Sequence, residues 1–177
     1  PFKPLLPDVN QIQFNKEQEL DRITDHTACV LMETVQGEAG IIAPVNDYLI
    51  RVKERCQSVG ALLIHDELQT GFGRTGKMFG FENYNVIPDV VLFAKALGGG
   101  YPLGAFTSSE EIMNCLSEDP PLGHITTFGG HPVSCAAAIA NIEILSSDSI
   151  VENVKDKGEL FKSLLHHDLI AEVRGIG

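Results

Sequence analysis

Val90–Tyr101, VVLFAKALGGGY, is an apolar run that ends in a lysine and then opens into consecutive glycines. Continuous rather than alternating apolarity marks a strand covered on both faces, the pattern of a parallel sheet. Two further runs repeat the design, Ala28–Thr34 (ACVLMET) and Ala61–Asp66 (ALLIHD), each apolar and each closing on polar residues. Between them Tyr48, Leu49, Val52 and Cys56 recur at helical spacing. Asn46 serves there as a cap, Val45 and Ile50 as a hydrophobic staple and Gly60 as the stop. A strand–helix–strand unit of this kind predicts an α/β fold with a central, mostly parallel sheet and flanking helices.

Outward from this centre, Lys16–His26 reads as a short surface helix carrying Leu20 and Ile23. Leu103–Thr107 reads as another strand and Glu110–Leu116 as a helix. Pro132 suits the first position of a helix over Val133–Leu145, which is apolar and alanine-rich almost all round and is therefore expected to be deeply buried. Ser149 and Glu152 form a capping box for a last helix, where Ile150, Val151, Val154, Phe161, Leu164 and Leu165 keep one face apolar. Glu172–Gly177, EVRGIG, reads as a strand just beginning, and the opening PFKPLLPDV as a connector. Both ends look cut, so a fragment is expected. The turn at Ser146–Ser149 is the candidate boundary, dividing residues 1–147 from 148–177.

Composition narrows the function classes. A net charge of −11 with no basic block argues against a nucleic-acid partner. Hydrophobic content of 44% and mean hydropathy of +0.05 are those of an ordinary globular protein, and no apolar run is long enough to span a membrane. Cys29, Cys56, Cys115 and Cys135 lack metal-ligand spacing and read as buried, reduced thiols, so no metal is expected and the cytoplasm is the default location.

Lys95 is the chemical oddity. An ammonium at the end of a buried strand is costly to desolvate, and a desolvated lysine is a nucleophile suited to forming a Schiff base with an aldehyde. Asp66 also closes a strand, and the carboxyl edge of an α/β sheet is where ligands bind. An Asp66–Lys95 ion pair sealing the sheet is the alternative. Gly98, Gly99 and Gly100 favour the ligand, because they let backbone approach closely or take positive φ, which an ion pair does not need. His65, one residue before Asp66, should face the opposite side as a core histidine.

Four segments carry a resemblance: Glu33–Gly40 (ETVQGEAG), Leu63–Gly76 (LIHDELQTGFGRTG), Pro88–Ala105 (PDVVLFAKALGGGYPLGA) and Thr126–Pro132 (TTFGGHP). In this order and spacing the chain closely resembles the class III pyridoxal-phosphate aminotransferases, the group of acetylornithine, ornithine and 4-aminobutyrate aminotransferases. The resemblance covers essentially the whole chain. It implies the fold type I architecture, with residues 1–147 in part of the large cofactor domain and 148–177 leading into a truncated small domain.

The resemblance also implies roles. Lys95 is the Schiff-base lysine and proton shuttle, Asp66 the partner of the pyridine nitrogen, Gln69 that of the cofactor's 3′ oxygen, and Leu68 packs on the ring. Thr127 binds the phosphate in the neighbouring subunit, so a homodimer is implied. Glu33 and Glu38 match acidic positions on the substrate side, Glu38 as the partner of a substrate-recognising arginine. The implied reaction moves an amino group from a primary, terminal amine to a 2-oxo acid such as 2-oxoglutarate. Thr34 stands where proline is common, and Leu68 where valine is frequent. His131 occupies a position held by asparagine or histidine, and Arg74 serves either the turn or the dimer interface. Three alternatives stay open at this point: an inactive fragment, a dimerisation module and an enzyme like glutamate-semialdehyde aminomutase.

Overall fold

The computed structural model describes residues 6–118, 121, 125–147 and 149–177. Parts of the proline-punctuated opening and of the Ser146–Ser149 turn lie outside these residues. Its centre is a four-stranded sheet in the order β1-β2-β3-β4, built from β1 (Cys29–Glu33), β2 (Leu62–Asp66), β3 (Val90–Phe93) and β4 (Ala105–Ser108). The first two pairings are parallel and the last antiparallel. Glu33 lies beside Asp66, and Asp66 beside Leu92, so the polar strand ends gather at one edge.

Helix α1 (Tyr48–Val59) links β1 to β2 and buries Tyr48, Leu49, Val52 and Cys56. These pack with Leu63, Ala61, Val86, Leu20 and Ile23 into the main core. Gly60 ends the helix in the left-handed region at φ 78°, its N–H donating to the carbonyls of Cys56 and Gln57. The helix starts differently from the expectation. Asp47 is the N-cap without a side-chain bond, Asn46 sits at φ 50°, and Val45 and Ile50 are exposed instead of forming a staple. Val45 is held otherwise, its N–H donating to Asn15 Oδ1.

Several expectations about burial fail where no neighbouring element covers the apolar face. β1 is an edge strand here, with Leu31 62% exposed, so its continuous apolarity does not mean cover on both faces. Lys16–His26 contains a single short 3-10 helix, Glu17–Arg22. After β4 and the short α2 (Glu110–Asn114), α3 runs from Pro132 to Ser147 but buries only Ser134 and Ala138. Its Val133, Ile139, Ile142 and Ile144 are exposed, not deeply buried as expected. α4 (Val154–Leu164) has Asn153 as its N-cap, no capping box from Ser149 and Glu152, and no buried residue. Residues 172–177 form no strand. Of the cysteines only Cys56 is buried; Cys29 and Cys115 are exposed and Cys135 is intermediate.

A second, smaller core lies beyond β3. Phe72, Leu97 and Ala138 are its buried members, and the rings of Phe72, Phe79 and Phe93 meet at centroid distances of 5.2–5.9 Å. No helix among the described residues is long and apolar enough to cross a membrane.

Candidate active site

The carboxyl edge of β2 and β3 positions the candidate residues. Asp66 ends β2, and its Oδ1 accepts the Leu68 N–H at 2.9 Å, which folds the chain back into a turn. Gln69 sits on that turn. Lys95 opens a single 3-10 turn (Lys95–Gly98) directly after β3, at φ 44°, a left-handed conformation that lysine seldom adopts. Its Nζ donates to Gln69 Oε1 at 2.7 Å. Strand ends thus bring amine, amide and carboxylate to one edge.

Lys95 departs from the expectation in one respect. It is exposed rather than desolvated, because the chain leaves the sheet at Ala94 and turns outward. Among the described residues no ion pair joins it to Asp66; its bond goes to Gln69. Of the three glycines after it, two take positive φ, Gly99 at 57° and Gly100 at 105°. A side chain at Gly99 would come within 3.1 Å of the Ala137 carbonyl and Asn141 Cβ, so α3 lies against this turn. Asn141 Nδ2 also donates to the Ala96 carbonyl at 2.8 Å.

The remaining candidates are spread around this edge. Leu68 is half-buried. Glu33 accepts the Gly37 N–H at 2.9 Å, and a Cβ on Gly37 would lie 3.3 Å from Gln69 Cγ, so the loop after β1 leans on Gln69. Glu38 is exposed on that loop. Thr127 is exposed in a turn before α3, beside Phe128 at 80% exposure. Gln69, Ala96, Gly99, Gly100, Asn141 and Phe161 are among the residues lining a cleft of about 770 Å³.

The sequence reading assigns no role to Glu67, yet it is fully buried and accepts four hydrogen bonds. The signal was available: Leu63, His65 and Glu67 continue the period-two face of β2, opposite Asp66. His65 is fully buried as expected, its Nδ1 3.1 Å from Thr34 Oγ1. Burial, reinforced by the charge of Lys53, lowers its pKa from 6.5 to about 4. Burial raises the Cys56 thiol to about 11, which makes it inert. No cluster of His, Cys, Asp and Glu among the described residues could hold a metal.

The α/β fold with its mostly parallel sheet is that of the fold type I pyridoxal-phosphate aminotransferases. The chain belongs to the class-III aminotransferase family, whose model matches residues 4–177. It is 41% identical to the LysW-aminoadipate semialdehyde/glutamate semialdehyde transaminase of Sulfurisphaera tokodaii, over 100% of this chain and 46% of that protein. The ornithine aminotransferase of Toxoplasma gondii superposes with a TM-score of 0.91 at 31% identity, over 99% of this chain and 43% of its own. For the acetylornithine aminotransferase of Elizabethkingia anophelis the TM-score is 0.82 at 34% identity, over 92% and 41%. The chain thus spans about half the length of the curated relative it matches.

The donor set fits the family's cofactor. Lys95 Nζ is an accessible amine, Gln69 Nε2 is left to donate while Oε1 accepts, and Asp66 keeps one oxygen without a partner among the described residues. An aldehyde, a ring oxygen and a ring N–H are what those three atoms would meet.

Proposed function

We propose that this chain is the central part of an aminotransferase that moves an amino group from a primary, terminal amine to a 2-oxo acid such as 2-oxoglutarate. Residues 1–147 belong to its cofactor domain and 148–177 lead into a smaller one. This division is supported by α3 docking on the Lys95 turn while α4 buries no residue. The observation that carries the reading is the 2.7 Å bond from Lys95 Nζ to Gln69 Oε1 on the edge where Asp66 ends β2. The terminal donor is supported by the relatives' names, since a semialdehyde is what a carboxylic acid with a terminal primary amine becomes when that carbon surrenders its nitrogen.

Pyridoxal phosphate, when bound, supplies an aldehyde that captures amines and a ring that takes up the electron pair released at the substrate carbon. Lys95 would hold it through Nζ, and the same amine is placed to carry a proton at the substrate carbon. Asp66 would accept a hydrogen bond from the ring N–H and so favour the protonated nitrogen. Gln69 donates to the ring oxygen, and Leu68 packs on the ring face. Thr127, exposed in its turn before α3, serves the phosphate site of a second copy in a homodimer. Glu33 and Glu38 line the substrate side. The cytoplasm suits its four free cysteines.

The test is made on the full-length protein. Incubation with pyridoxal phosphate, borohydride reduction and peptide mass analysis should place the adduct on Lys95. Lys95→Ala should lose the adduct and lower transamination by about a thousandfold or more, with an unchanged Tm of the apoprotein because the side chain is exposed. A wild-type protein that takes no cofactor at Lys95 would overturn the reading. A screen of terminal and α-amino donors then tests the substrate class.

A further inference from the structure

Asp66 and Glu67 are adjacent carboxylates with opposite surroundings. Asp66 faces the candidate cofactor site, whereas Glu67 points into the protein with no exposed surface. Glu67 Oε1 accepts from Thr34 Oγ1 at 2.5 Å and the Phe81 N–H at 2.9 Å. Oε2 accepts from Thr70 Oγ1 at 2.8 Å and the Gly80 N–H at 2.7 Å. One buried side chain therefore joins the residue after β1, the turn after β2 and the segment at Gly80–Phe81. The main chain is fixed at the same residue, the Glu67 N–H donating to the Leu92 carbonyl at 3.0 Å and the Glu67 carbonyl accepting from the Gly71 N–H at 3.0 Å.

We propose that Glu67 is a positioning residue that sets the pose of Asp66 and Gln69, and through Gln69 that of Lys95. The inference rests on the aminotransferase reading above. Asp66 precedes the anchor by one residue, and Gln69 stands on the turn that the anchor holds at Thr70. A shift of the turn therefore moves the ring partner, the oxygen partner and the Lys95 contact together. The anchor also has no slack. A Cβ on Gly80 would lie 2.8 Å from Thr70 Cβ and 3.0 Å from Glu67 Oε2, and one on Gly71 would lie 2.8 Å from the Glu67 carbonyl oxygen.

The network requires a carboxylate and not merely a polar side chain. Each oxygen faces one hydroxyl, which can rotate, and one backbone N–H, which cannot. A glutamine amide in either orientation would set its NH2 against a backbone N–H, leaving a buried donor without an acceptor. The Thr34 hydroxyl has one proton and gives it to Glu67, so its contact with His65 uses the imidazole Nδ1–H as donor. His65 is thereby fixed as the neutral Nδ1–H tautomer, with Nε2 lacking a partner among the described residues. Thr34 is also where this chain departs from the family pattern, and a proline there could not donate to Glu67.

The experiment uses the full-length holoenzyme with Glu67→Gln, Thr34→Val and Thr34→Ser. It reads the dissociation constant for pyridoxal phosphate, the absorbance of the bound cofactor against pH, kcat and KM separately, and the Tm of the apoprotein. Glu67→Gln is expected to weaken cofactor retention about tenfold to a hundredfold, displace the pH of the absorbance change and lower kcat with little change in KM. Thr34→Val shifts the same readouts in the same direction by less, and Thr34→Ser, which keeps the hydroxyl, restores them. If Glu67→Gln fails to fold, Thr34→Val against Thr34→Ser decides. A folded Glu67→Gln or Thr34→Val with wild-type affinity, spectrum and pH profile overturns the positioning role alone. A wild-type enzyme that takes no cofactor at Lys95 overturns the aminotransferase reading first and this inference with it.

Discussion

The β1–β3 half of the chain and the α3–α4 half treat apolar surface in opposite ways. In the first, α1 and β2 bury Leu49, Val52, Cys56 and Leu63 almost completely, and even the polar residues of that face, Thr34, His65 and Glu67, have no exposed surface. In the second, a helix as apolar as α3 covers only Ser134 and Ala138, and Phe161 and Leu164 of α4 stand 66% and 71% exposed. Amphipathic or uniform apolarity alone did not decide burial. What decided it was whether a neighbouring element was there to cover the face.

The sharpest way to test this difference is a pair of truncations. Leu63→Ala removes a fully buried side chain between α1 and the sheet, and should cost about 2–5 kcal/mol in urea unfolding of the 177-residue chain. Ile139→Ser on the 58% exposed face of α3 should change it by less than about 0.5 kcal/mol. Comparable losses at both sites would show that α3 is covered in solution. A cost at Ile139 that emerges only in the full-length enzyme would show that the remainder of the protein, or a second copy, covers it there.

The same contrast explains what could be read from the residues and what could not. Strand and helix identities from β1 to β3 follow from local pattern, because continuous apolar runs and the i, i+3, i+4 spacing of α1 are properties of a few neighbouring residues. Sheet order is not local. Leu31 belongs to a fully apolar run, yet its strand lies at the edge of the sheet. The cap of α1 went to Asp47 because Asn46 took a left-handed turn, a choice set by Asn15 reaching Val45 from another segment. For the site, Lys95, Asp66 and Gln69 were legible because strand-end position and motif spacing place them on one edge. The exposure of Lys95 was not, since apolar neighbours in sequence say nothing about where the chain turns after Ala94. Glu67 was hidden by its motif, where an acidic residue beside Asp66 draws attention to the wrong face.

The buried half should also be the acid-sensitive one. His65 has its pKa lowered from 6.5 to about 4 by burial, with Lys53 adding to the effect. Above pH 6.5 the imidazole is neutral in folded and unfolded chains, and its contribution does not vary. Between 6.5 and about 4 the unfolded chain binds the proton and the folded one does not, so stability falls as pH falls. The loss from this group should reach roughly 3 kcal/mol, and below about pH 4 it levels off. Urea midpoints at intervals from pH 7.5 to 4.5 check it. His65→Gln, whose amide can still meet the Thr34 hydroxyl, should flatten the wild-type slope in this window. Equal slopes in the two proteins would mean that carboxylates alone govern the acid limb.

The most local effect is expected where the two halves meet. α3 contributes little buried apolar area, yet Asn141 reaches from it to the Ala96 carbonyl at 2.8 Å, and its Cβ sits against the position of Gly99. The helix therefore acts on the site by bracing the turn that carries Lys95, more than by filling a core. Asn141→Ala removes one half-buried hydrogen bond and should cost about 1 kcal/mol, less than Leu63→Ala but more than Ile139→Ser. Its consequence should be concentrated at the turn. Amide hydrogen exchange at Leu97 and Gly99, whose N–H groups close that turn onto Ala94 and Ala96, should quicken while exchange in β2 stays unchanged. Faster exchange spread evenly through both halves would mean that α3 is part of one cooperative core after all, and the exposed faces of Ile139 and Ile144 would then be no guide to how the chain unfolds.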